Sequence, residues 1–130
     1  MKNESNEPKT PAALADQAAE AVRSLNHATL SARPGWEHPV DAYDVVGDLA
    51  RMAMMLPQAI EQTGKFFDAL VADGHVGVDG FGREKGTTVA TMSAELAGAL
   101  VNAAALARHL HEELNTAHGA LSSATYVHGS

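Results

Sequence analysis

Between residues 109 and 118 the chain gathers His109, His111, Glu112, Glu113, Asn115 and His118, side chains able to move protons or ligate metals. On a helix His111, Asn115 and His118 fall at i, i+4 and i+7 and share a face, while His109 and Glu113 pair at i, i+4 on another. Two imidazoles and a carboxylate could bind zinc or another divalent cation, so His109, His111, Glu112, Glu113 and His118 are the candidate ligands. The segment departs from the His-Glu-x-x-His pattern of zinc proteases, which needs a histidine where this chain has Asn115. A solvated helix face accounts for the same residues, since histidine also suits the negative end of a helix. The expectation is no cofactor, with a divalent metal such as zinc as the alternative.

A second candidate is the Gly-rich stretch ahead of the last helix, Gly80-Phe-Gly82-Arg-Glu-Lys85-Gly86-Thr87-Thr88. A phosphate-binding loop needs Gly-Lys-Ser/Thr, and the order here is Lys-Gly-Thr-Thr. The dinucleotide fingerprint fails at Lys85, where it needs glycine, and no alternation of strands and helices surrounds it. A connector is the better reading. Asp41, Asp44 and Asp48 lie on one side of the second helix, a solvated acidic face or a docking face for a basic protein. Met52 is in phase with Leu49 and Leu56 and reads as core, whereas Met54 and Phe66 lie on the flanks and read as a subunit interface. Trp36 reads as a plug for one end of the bundle. There is no Gly-x-Ser-x-Gly elbow and no cysteine, so no nucleophile stands out.

Something must hold these residues in place, and 130 residues suffice for one domain with its own core. The composition is 45% hydrophobic, much of it alanine, which favours closely packed helices over a bulky sandwich core. Nine Lys and Arg against a formal net charge of −7 argue against nucleic acid as a partner. No unbroken run reaches the ~18 apolar residues of a membrane span, and Met1–Pro8 lacks the apolar centre of a secretory signal. A cytoplasmic protein that does not engage membranes is expected.

Residues 1–9 read as a disordered tail, residues 10–119 as a single helical domain, and 120–130 as a fraying end. Thr10-Pro11 opens a first helix that runs to about Leu30, and Pro34-Gly35 marks the turn after it. The second helix starts near Pro39 or Asp41, with Asp41-x-x-Asp44 as a capping box. Its apolar face reads Val45, Leu49, Met52, Leu56, Ile60, Thr63, Phe67 and Leu70. Pro57 predicts a kink or a split, and Gly74 a stop. Val76–Gly80 fits either a minimal hairpin or an ordered loop. The last helix shows Val89, Met92, Leu96, Leu100, Ala103, Leu106, Leu110, Leu114 and Ala117, with Gly119 as its end. The predicted fold is all-α, an antiparallel bundle of three or four helices with a Gly-rich loop before the last.

The stretch from Tyr43-Asp-Val-Val-Gly-Asp-Leu-Ala-Arg51 through Leu56-Pro-Gln-Ala-Ile60 resembles small, Ala-rich, uncharacterised helical proteins of high-GC actinobacteria. It covers about a sixth of the chain and implies no activity. The small secreted helical proteins with a Trp-x-Gly turn are not matched, because Trp36 is followed by Glu37-His38. The functional expectation is a non-enzymatic, self-associating protein–protein interaction module. The alternative is a metal-binding protein or metal-dependent enzyme built on the histidine cluster.

Overall fold

The computed structural model describes residues 7–79 and 86–129. These form three helices, α1 (Pro11–Ala28), α2 (Pro39–Ala72) and α3 (Val89–Leu121), and the fold is all-α. Residues 75–79 are not strand, and Gly80, the second turn residue of the alternative hairpin, lies outside the described residues together with 81–85.

Each helix boundary has a local cause. Thr10 Oγ1 accepts the Ala13 N–H at 3.1 Å and Pro11 occupies the first turn, where its missing N–H costs nothing. After α1, Arg33 and Trp36 exchange backbone hydrogen bonds of 3.3 and 2.8 Å around Pro34-Gly35. Gly35 sits at φ 86°, the left-handed geometry that a proline-then-glycine turn requires. The cap of α2 lies three residues upstream of the expected pair, at His38 and Asp41: the Asp41 carboxylate accepts the N–H groups of Glu37 and His38, both at 3.0 Å. Pro57 does not split α2, which runs unbroken for 34 residues. One lost backbone bond is outweighed there by packing, since Pro57 is buried against α3. At the other end the Gly74 N–H donates to Val71 O at 3.0 Å and the His75 N–H to Leu70 O at 2.9 Å, a Schellman motif with Gly74 at φ 77°. The Thr88 side chain caps α3, which continues through Gly119 rather than ending there. Ser122 terminates it, with Oγ donating to Gly119 O at 2.6 Å.

α2 and α3 pack against each other as an antiparallel pair. Gly47 faces His118, and further along Gly64 faces Leu100. The buried hydrophobic residues of this pair are Ala50, Ala53, Ala104 and Ala107, joined by Pro57. No large side chain is fully buried among the described residues. α1 stands apart: none of its residues is buried, and it makes no close backbone approach to either long helix. An apolar cavity of about 280 Å³ separates it from α2, lined by Ala18, Ala21, Val22 and Leu25 on one side and Val45, Asp48 and Met52 on the other.

The reading of the apolar arcs is corrected here. Leu106 and Leu110, read from the sequence as core, are exposed, as are Met52 and Leu56 on α2. By length and composition α3 is apolar enough to cross a membrane, although no unbroken apolar run marks it. Its many alanines raise the average hydropathy while Glu95 and Asn102 interrupt the run.

Candidate functional site

The α2 seam runs through Tyr43, Val46, Ala50, Ala53, Pro57, Ile60, Gly64, Phe67 and Val71, alternating steps of three and four. That is a strict seven-residue repeat, and every member is buried or half-buried. The α3 seam passes through Leu100, Ala104, Ala107, His111, Leu114, His118 and Leu121. Small residues lie at the centre of both seams, so the backbones approach closely and bulkier neighbours are pushed to the sides.

Those sides differ in chemistry. Residues that follow a seam position on α2 and α3 share one side of the pair, as the Glu61–Arg108 ion pair at 2.6 Å shows. Glu61, Lys65, Asp68 and Arg108 rim an open groove of about 210 Å³ there, floored by Ile60, Gly64, Leu96 and Leu100. Antiparallel geometry therefore places the residues that precede seam positions together on the opposite side. On α2 these are Val45, Leu49, Met52, Leu56, Ala59, Thr63, Phe66 and Leu70. The matching α3 row is Ala99, Ala103, Leu106, Leu110, Glu113, Ala117 and Ala120. Glu113 is the one charged residue in the two rows. Phe66 is 65% exposed and Leu106 69%, with Leu56 and Leu110 also in the open.

Of the two expected interface residues, both are exposed, but they point to different sides. Met54 follows the seam residue Ala53, whereas Phe66 precedes the seam residue Phe67. Only Phe66 belongs to the apolar face. Leu56, Leu106 and Leu110 were missed because their helical phase reads as core. The signal that relocates them is the repeat of Ala50, Ala53 and Gly64 on α2 with Ala104 and Ala107 on α3, where only small side chains permit close approach.

The candidate metal ligands are not brought to one point. His109 faces Glu112 at 3.6 Å and Glu113 at 3.8 Å on an exposed side of α3. His111 lies on the α2-facing seam and contacts Asn115 at 3.2 Å. His118 stacks on Tyr43 with ring centroids 3.9 Å apart. Among the described residues no group of three His, Cys, Asp or Glu is arranged to hold a metal ion. Of the acidic residues, Asp41 caps α2 and Asp48 pairs with Arg51 at 3.1 Å, while Asp44 is exposed. Hydrogen bonds from the Glu37 and then the His38 N–H hold the Asp41 carboxyl below its ordinary pKa, against the opposing effect of desolvation and with a smaller contribution from His38.

At the open end of the pair the C-terminal segment folds back. Tyr126 packs edge-on to His38 with centroids at 4.6 Å and to His128 at 4.8 Å. Trp36, half-buried, lines a cleft of about 480 Å³ with Pro39, Ala42 and Tyr126. Comparison with known proteins finds no matching family model, no matching curated protein and no matching solved structure.

Proposed function

We propose that this chain is a non-enzymatic interaction module that works by protein–protein contact and associates with itself. One observation carries the reading: large apolar side chains, Leu56, Phe66, Leu106 and Leu110, are open to solvent while the fully buried residues of the seam are alanines and a proline. Monomeric soluble proteins rarely leave contiguous apolar patches of more than a few hundred Å² exposed. The accessible surface supports it as well. The chain exposes 9997 Å², against about 6,600 Å² for a compact folded monomer of 13.6 kDa.

On this reading the antiparallel bundle expected from the sequence is completed between copies, within the cytoplasm, without a cofactor. A basic protein is a further partner for the side that carries Asp44 and Asp48. Native mass spectrometry of untagged, chelator-free protein tests the proposal. A metal-free dimer or larger assembly is the expected result. A monomer, or a stoichiometric metal, overturns it.

A further inference from the structure

We infer that α1 is a hinged strap that swings about the 29–38 connection and closes on α2, seating Leu25, Ala18 and Leu14 on Val45, Met52 and Leu56. Closure happens within one copy, so the inference goes beyond self-association and does not rest on it.

The two surfaces already face each other across the cavity of about 280 Å³, with Ala18, Ala21, Val22 and Leu25 as one wall and Val45, Asp48 and Met52 as the other. Their separation grows away from the connection. Leu25, close to it, is half-buried, whereas Val22 is 39% exposed and Leu14, about three turns beyond Leu25, is 52% exposed. No Cα of α1 comes within 8 Å of one in α2 or α3. Packed helices bring their axes to about 8–10 Å, so α1 stands off from a partner it is patterned to meet.

That pattern sets the register. Ala18 to Leu25 is a step of seven, as is Val45 to Met52, and a further step of four places Leu14 opposite Leu56. The charged residues Asp16, Glu20 and Arg23 lie on the far side of α1, where Glu20 and Arg23 pair at 3.6 Å. Asp48, at the cavity margin, is paired with Arg51. Beside this part of α2, α3 offers Ala117 and Ala120, small enough to admit a third helix, and Glu113, which is turned toward His109 at 3.8 Å.

Closure also gives α1 what it lacks. A surface helix draws most of its stability from packing its apolar side, and α1 has no buried residue. Expelling water from the apolar cavity supplies the drive. The closed strap covers Leu56 but, starting at Pro11, stops short of Phe66, which stays open to a partner.

The chain has no cysteine, so a disulfide trap in the full chain reads closure directly. The bond needs Cα atoms within about 7 Å, closer than α1 comes to α2 in the open arrangement. Leu14→Cys/Leu56→Cys, oxidised with diamide in dilute solution, is expected to form at least about tenfold more cross-linked product of monomer mass than Asp16→Cys/Leu56→Cys. Hydrogen exchange gives a second readout. Leu14→Glu should lower the protection of α1 amides at least about fivefold and Ala19→Glu, away from α2, less than about twofold. Protection around Ala53 and Ala104 should be unchanged in both, which checks that the long pair still folds. Equal trapping of the two cysteine pairs overturns the strap, as does a 14-to-56 linkage formed mainly between copies. Equal loss of protection in the two glutamate variants overturns it too. A wild-type chain that proves monomeric sinks self-association and leaves the strap standing, because the monomer-mass product forms independently of concentration.

Discussion

Asp41 holds the start of α2 with one carboxylate oxygen that accepts two backbone N–H groups. Because its pKa is lowered in the folded chain, its stabilisation is full above the ordinary carboxylate pKa. That contribution is lost as pH falls through the lowered value. Asp41→Asn should therefore lower the melting temperature at pH 7, and the gap to wild type should close in acid, as a pH series of thermal melts would show. Glycines make a second residue-scale contrast. A Cβ on Gly47 would stand 2.8 Å from His118 Nε2, a ring already stacked on Tyr43, whereas one on Gly98 meets nothing within 4 Å. Both lie within helices, where alanine is favoured by about 1 kcal/mol. Gly98→Ala should raise stability by roughly that amount, and Gly47→Ala should lose the gain and displace the His118 ring. Chemical denaturation of the two variants, with the Tyr43 and His118 ring signals followed by NMR, checks this. The sequence revealed the helix breakers and caps well, since Thr10, Pro11 and Gly74 act within one turn of themselves. It did not reveal that His118 needs a glycine opposite, because those residues lie 71 positions apart (118 − 47).

At the scale of elements, α2 and α3 are held together by a narrow seam. Ala53 is 2% exposed and Ala104 1%, so neither site has room for a longer side chain. Ala53→Leu or Ala104→Leu should destabilise by about 1–3 kcal/mol through overpacking, measured by urea unfolding. Pro57→Ala should act in the opposite direction. It restores a backbone donor inside a continuous helix, where proline costs about 3 kcal/mol, and keeps a small residue on the seam. Helical periodicity located both long helices and their apolar arcs. It could not choose between adjacent apolar rows, since Val45, Leu49, Met52 and Leu56 look as core-like as Val46, Ala50, Ala53 and Pro57. The choice follows from close approach, which small residues permit and leucines prevent.

For the whole molecule, a pair of long helices with α1 across an open cavity leaves more surface than a compact domain of this mass. If copies cover one another's apolar face, stability is linked to concentration by mass action. The melting temperature should then rise with protein concentration between about 1 and 100 μM, as calorimetry at several dilutions would reveal. A melting temperature independent of concentration would show that unfolding does not involve dissociation. The scattered placement of His109, His111 and His118 also belongs to this scale. A linear run placed them within ten residues, but helical phase turned His109 outward and His111 and His118 toward α2.

The sequence by itself determined an all-α chain and most of the helix ends, and left open whether Pro57 made three helices or four. Capping, turn chemistry and alanine's helix preference act over a few residues and need no tertiary partner. Only the tertiary structure decided which apolar row became the seam and which was left facing water. That decision depends on how closely two distant helices can approach, a matter of side-chain size at facing positions that periodicity along one helix does not contain.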